Sequence, residues 1–294
     1  MSKTFLVIKR RKKASICSLF LQVLDHLCDC ERDSLIPIVD FTSHDLLCYD
    51  ERYGSNVWEY FFEPVSEYTL EDVGKEDKVK TASSMAMPQN LHYYLGKASE
   101  VKTYVSKFRK RKLPKFDKQY RAQFAGLIKK YIRLKDSLEQ EIQQIVNESM
   151  GDNKTIALFV RGSSKTWNKI DGKMTPLEYY LKRAEYHLSA RNASRIYLIC
   201  DNWEAMPYFE KAFGDQMFYN RTFMRYPYYQ HGADLPWDEP GFGPTDEQQK
   251  GTLCKQNLIE TVLMSKCDFL IHAESNMAIS ALMFNDKMDH EFIL

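Results

Sequence analysis

Residues 155–165 read TIALFVRGSSK, and the reading of this stretch decides the fold. Residues 155–160 form a short apolar run, preceded by the turn-forming ESMGDNK of residues 148–154, which predicts a strand buried on both faces. It ends in Arg161-Gly162, a forked cation beside a residue with no side chain. Downstream, residues 177–189 have helical periodicity, and residues 195–200 (RIYLIC) form a second buried strand ending at Asp201-Asn202. Residues 207–213 read as a short helix, 216–219 as a strand, and 226–251 as a polar loop rich in Pro and Gly. A helix over 253–265, a strand over 268–272 and a helix over 277–284 follow. Strands alternating with helices, with turns at the strand carboxyl ends, give a doubly wound parallel sheet.

Upstream the same alternation recurs. Residues 4–8 (TFLVI) predict a strand, Ile16, Leu19, Phe20, Val23 and Leu27 share one helical face, and residues 35–40 (LIPIVD) predict a strand ending in a carboxylate. Residues 52–65 are aromatic and irregular, and residues 99–146 are largely helical in pattern. The fold class is therefore α/β with two Rossmann-like domains. The first spans 1–148 with a helical extension, and the second spans 149–294.

The chain has 294 residues, of which 44% are hydrophobic and 28% charged, enough for a sizeable core. Forty-one Lys and Arg oppose forty Asp and Glu, so global charge gives no case for a nucleic-acid partner. Seven cysteines without regular spacing point to reduced thiols and a cytoplasmic location. No run reaches the roughly 18–20 apolar residues of a membrane span. Residues 14–27 follow a basic run but contain Gln22, Asp25 and His26, so they read as an amphipathic helix and not a signal peptide. Without secretion, the sequons at Asn147, Asn153, Asn192 and Asn220 carry no meaning.

In an open parallel sheet, ligands bind beyond the strand carboxyl ends near the topological switch point. Three such ends carry polar residues: 161–165 (RGSSK), 201–202 (DN) and 272–276 (HAESN). Arg161 offers a bidentate donor, Gly162 permits close backbone approach, and Ser275 opens a helix N-terminus, so the first and third suit a phosphate. Asp201 suits the hydrogen-bond donors of a base or ribose. Alternatively, Arg161 pairs with a local carboxylate and Ser275 only caps a helix.

The wording of these motifs resembles that of GDP-fucose-dependent fucosyltransferases, the relatives of nodulation protein Z, the α-1,6-fucosyltransferases and the protein O-fucosyltransferases. Residues 158–165 (LFVRGSSK) look like their H-x-R-G/R-T-D-K motif, 195–202 (RIYLICDN) like their acidic strand end, and 250–284 like their last block. Residues 36–40 and 56–65 (NVWEYFFEPV) are similar to the acceptor-side domain. The resemblance implies a GT-B fold, with the two domains facing across a cleft. It implies an inverting transfer of fucose from GDP-fucose to a glycan or other hydroxyl acceptor, without a metal or other cofactor. By this likeness Arg161, Gly162 and Ser163 meet the donor, Ser275 and Asn276 the diphosphate, and Asp201 and Asn202 the nucleoside. Phe159 stands where the family has His, and Ser163-Ser164 where it has Thr-Asp, which leaves a donor such as UDP-xylose or a non-catalytic binding module as alternatives.

The general base is taken to be Asp171, with Asp40 and Glu63 as rivals. Tyr53 and Trp58, with Tyr60, are candidates for stacking on an acceptor sugar, the alternative for Trp58 being the core. Residues 9–13 are read as an exposed basic turn and 107–118 as a solvated helix end, or else both as an anion- or RNA-binding surface. His26, Cys28 and Cys30 lack a second pair at metal-ligand spacing, and no metal is expected. The sequence leaves the acceptor, the linkage and the oligomeric state open.

Overall fold

A computed structural model describes residues 2–9, 14–44, 46–82, 118–160, 169–170, 173–200, 205–223, 247–273 and 275–293. The chain divides into two compact units, Met1–Glu139 with Asp246–Asn257, and Gln140–Thr245 with Leu258–Leu294.

The first unit holds a parallel sheet of β1 (Thr4–Lys9), β2 (Ile36–Asp40) and β3 (Lys78–Ala82) in the order β2-β1-β3. Helix α1 (Ile16–Asp33) makes the crossover from β1 to β2, and its Leu19, Phe20, Val23 and Leu27 are fully buried. It packs against β2 and against α2 (Lys118–Tyr131), which is followed by α3 (Asp136–Ile145). Ser34 ends α1 in the left-handed conformation, where its N–H caps the carbonyl of Cys30. Within the aromatic segment 52–65, Val57, Trp58, Tyr60, Phe61, Phe62 and Val65 are core. Trp58 is completely buried, stacked on Phe62 at 4.2 Å and edge-on to Phe41, with its indole N–H donating to the Glu63 carbonyl at 3.1 Å. Asn56 clasps this segment to the sheet: Oδ1 accepts from the N–H of Phe41 and of Trp58, and Nδ2 donates to the Val39 carbonyl at 2.8 Å.

A disulfide joins Cys48 to Cys254, 206 residues apart, and corrects the expectation of seven reduced thiols. Spacing could not reveal it, because the two cysteines meet only through the tertiary fold. Beside it, Gly251 lies against Asp50, which is 1% exposed and holds the Arg52 guanidinium through Nε and Nη2. A Cβ at Gly251 would stand 2.6 Å from the Asp50 Cβ. The five other cysteines form no disulfide. Burial, reinforced by Asp25 and Asp29, pushes the Cys28 thiol up to about 12, and burial with Asp29 does the same to Cys30.

The second unit holds the sheet β10-β9-β4-β7-β8, all parallel. Its strands are β4 (Thr155–Val160), β7 (Arg195–Cys200), β8 (Met217–Phe218), β9 (Phe269–His272) and β10 (Asp289–Phe292), while β5 (Lys169–Ile170) and β6 (Lys173–Met174) form a small antiparallel ribbon. Every residue of β4 is buried, as the apolar run requires. Ile156, Leu158, Val160, Ile196, Leu198 and Ile271 form one cluster with Tyr180 and Ala184 of α4 (Leu177–Arg191) and with Phe209 and Phe213 of α5 (Met206–Phe213). Helix α6 (Glu247–Lys266) precedes β9, and α7 (Asn276–Phe284) lies between β9 and β10. Asp268 locks β9 to β4, its carboxylate accepting from Thr155 N at 2.8 Å while its own N–H donates to the Thr155 carbonyl at 2.9 Å.

The sequence reading predicts neither the ribbon β5–β6 nor the edge strands β3 and β10. Strands β3 and β10 are short and polar, KVKTA and DHEF, and are strands because a neighbour supplies the ladder. On β10, Glu291 takes a bidentate pair from Arg183 at 2.6 Å through each oxygen and a third contact from His187 Nε2 at 2.5 Å. Burial disfavours the Glu291 charge, but the hydrogen bonds from Arg183 and His187 outweigh it and hold the carboxyl below its usual range.

Denatured without reductant, the chain should titrate five thiols and not seven, and loss of the disulfide in Cys48→Ser should cost about 2–5 kcal/mol of stability. Gly251→Ala should cost about 1–3 kcal/mol, read from chemical denaturation, because the overlap is with a buried, bonded side chain. Because the folded Glu291 value is depressed, its contribution is complete above the unfolded value of about 4.3 and is lost as pH falls through the folded value. The gap in melting temperature between wild type and Glu291→Gln should therefore be widest near neutral pH and close on acidification.

Candidate functional site

The strand order puts a topological switch in the second unit. From β4 the chain proceeds through β7 to β8 on one side, then returns to lay β9 and β10 on the other. Parallel register sets Val160 opposite Cys200 and Phe159 opposite His272, so the carboxyl ends of β7, β4 and β9 lie side by side. These are the ends followed in sequence by Arg161, Asp201 and the segment of Ser275. A ligand crevice is expected at such a switch point.

At the β9 end, His272 is fully buried. Its Nδ1 lies 3.0 Å from the Ala273 carbonyl, which can only accept, and its Nε2 lies 3.1 Å from His290 Nδ1. Ser275 is the N-cap of α7, with extended backbone and Oγ accepting from Met277 N at 3.1 Å. Asn276, exposed, is the first residue of the helix. The positive end of the α7 dipole thus emerges beside the carboxyl end of β9. Ser275 does the capping work considered as the alternative reading, and that geometry is also what aims the backbone N–H groups outward. Phe159 is 3% exposed inside β4, a packed core position.

Arg161, Gly162, Ser163, Asp171, Asp201 and Asn202 lie outside the described residues, as do residues 10–13 and 107–117 of the two basic runs. In the first unit, Asp40 and Lys9 end adjacent strands in register and form an ion pair. Burial opposes the Asp40 charge, yet hydrogen bonds from Lys9 and from Thr42 hold the carboxyl below its usual range. Glu63 pairs with Lys135 at 3.1 Å. Of the stacking candidates, Tyr53 is exposed, whereas Trp58 and Tyr60 are buried in the core. Among the described residues, no cluster of three or more His, Cys, Asp or Glu could hold a metal, and no helix is long and apolar enough to cross a membrane.

No protein-family model matches the sequence, and no curated protein matches it. Solved structures do. NodZ α-1,6-fucosyltransferase soaked with GDP-fucose superposes with a TM-score of 0.53 at 13% identity, covering 96% of this chain and 93% of that one. The fold is that of the fucosyltransferases. Fucosyltransferase NodZ from Bradyrhizobium gives 0.51 at 14% identity over 95% and 92% of the two chains. POFUT1 in complex with GDP-fucose gives 0.53 at 8% identity over 100% and 98%. The GT-B architecture expected from the motifs is thereby shown for nearly the whole chain, at identities where the backbone is shared and most side chains are not.

The Ser275 cap is open to a direct check. Ser275→Ala should lose about 1 kcal/mol of stability, measured by chemical denaturation, while Ser275→Asn should keep most of it.

Proposed function

We propose that the chain is an inverting, metal-independent glycosyltransferase, with GDP-fucose as the leading donor and a glycan or other hydroxyl compound as acceptor. The observation that carries this reading is the β4/β9 switch point, where the strand leading into Arg161 runs beside the capped α7 N-terminus. The fold shared with enzymes solved with GDP-fucose supports it.

In this reading Arg161, Gly162 and Ser163 grip the donor diphosphate with Ser275 and Asn276, and Asp201 and Asn202 recognise the nucleoside. The acceptor hydroxyl oxygen attacks the anomeric carbon from the face opposite the leaving group. The bond from that carbon to the phosphate oxygen breaks, and Asp171 takes the hydroxyl proton. Negative charge collects on the departing diphosphate, where the Arg161 guanidinium and the helix N-terminus stabilise it in place of a metal.

A second reading is favoured by Phe159, which sits in the core where the family motif has a polar residue, and by Ser163-Ser164, which lacks the motif carboxylate. It keeps the nucleotide site but assigns another donor, such as UDP-xylose, or binding without turnover. As for compartment, the Cys48–Cys254 disulfide weighs for an oxidising environment against the cytoplasm expected from the cysteine count.

Melting in the presence of nucleotides tests these readings. At about 100 times Kd, GDP or GDP-fucose should stabilise the protein by about 2.7 kcal/mol, with or without chelator, and Arg161→Ala should abolish the shift. A shift with UDP compounds alone would move the donor, and a chain that responds to no nucleotide would end the transferase reading.

A further inference from the structure

An N-x-S/T triplet carries meaning only in a chain that enters the secretory route, and the Cys48–Cys254 disulfide points to an oxidising compartment. That gives weight to where the fold puts these triplets. Asn153 and Asn192 stand just before β4 and β7, whose first residues, Thr155 and Arg195, are opposite one another in register. Asn147 lies in the turn Val146–Met150 that leads into β4. These three triplets meet at the amino edge of the sheet. The Ser194 hydroxyl donates to Asn153 Oδ1 at 3.2 Å, Ser194 N donates to the Lys154 carbonyl at 3.0 Å, and Arg195 Nη2 donates to the Ser149 carbonyl at 2.8 Å. All three asparagines are exposed. The six residues of β4 separate this edge from the strand carboxyl ends by about 20 Å, at about 3.3 Å per residue.

The side-chain amides differ in how they are engaged. Asn153 is tied at both ends, since its Nδ2 also donates to the Met150 carbonyl at 2.9 Å. Asn147 Oδ1 accepts from Gln143 Nε2 at 2.9 Å. Asn220, the fourth, is half-buried, and its Nδ2 donates to the hydroxyl oxygen of fully buried Tyr197 at 2.9 Å. Asn192 is exposed, and its amide makes no hydrogen bond among the described residues. Its backbone is nonetheless fixed: it ends α4 in the left-handed conformation, with its N–H donating to the Leu188 and Ser189 carbonyls.

We propose that Asn192 is an N-glycosylation site. The co-reactant is an oligosaccharide joined through its anomeric carbon to a lipid diphosphate, and the compartment's own transferase acts on the chain. Asn192 Nδ2 bonds to the anomeric carbon, the bond from that carbon to the phosphate oxygen breaks, the lipid diphosphate leaves with the electron pair, and the amide gives up one proton. The attached glycan is bulky and hydrophilic and must stand in water. Asn192 meets that condition without losing a side-chain bond, whereas a glycan at Asn153 or Asn220 crowds the contact to Met150 or Tyr197. The amino edge also leaves the carboxyl ends of β4 and β9 open, although the modification does not depend on the transferase reading.

The test is mass spectrometry of the full chain purified from the cells that make it. After cleavage with a glutamyl endopeptidase, peptide N-glycosidase in heavy-oxygen water should convert Asn192 to a labelled Asp, and the intact chain should exceed its sequence mass. Ser194→Ala leaves Asn192 in place but removes the triplet's hydroxyl, and should lose the label there. Ser194→Thr should keep it. The proposal is overturned if the wild-type chain has its unmodified mass, if the label falls on other triplets and not on Asn192, or if Ser194→Ala is still labelled at Asn192. Label that enters without the glycosidase is spontaneous deamidation and overturns it as well.

Discussion

The hydrogen-bonded pairing of β4 with β7 on one side and β9 on the other is the constraint on which the second unit depends. A central strand buried on both faces must satisfy every backbone N–H and carbonyl within the sheet, because water cannot reach them. It therefore tolerates only apolar side chains and pushes polar chemistry to its ends. The Asp268–Thr155 clasp fixes where β9 starts relative to β4, and so fixes where both strands end. From that register follow the adjacency of the strand ends and the position of the α7 N-terminus.

The first unit solves a different problem. Among the described residues its sheet has three strands, and segment 52–65 is irregular aromatic chain held by specific bonds and not by a ladder. Asn56 supplies two acceptor contacts and two donor contacts where strand pairing has ended. The Cys48–Cys254 link and the Gly251–Asp50 contact fasten the next loop from another part of the chain. Such point contacts restrain individual side chains where no ladder does.

Apolar periodicity made the buried strands legible, with Thr155–Val160 and Arg195–Cys200 read to the residue. Helices were legible to within a turn or two, α6 beginning six residues earlier than its apolar pattern because its first turns carry polar residues. Strands β3 and β10 were not, since an edge strand of polar residues has no signature apart from its neighbour. The aromatic segment divided similarly: composition marked it as notable, but only packing separated Tyr53 from Trp58.

By itself, then, the sequence determined the α/β alternation, the strand ends that carry polar residues and the motif wording that points to fucosyltransferases, because these depend on local periodicity and residue order. Tertiary structure alone decided which cysteines join, which carboxylates are paired, which aromatic ring faces solvent and on which side of β4 the strand β9 lies. Each of these is a meeting of residues distant in the chain, and no local pattern encodes the approach of two segments that only the folded core brings together.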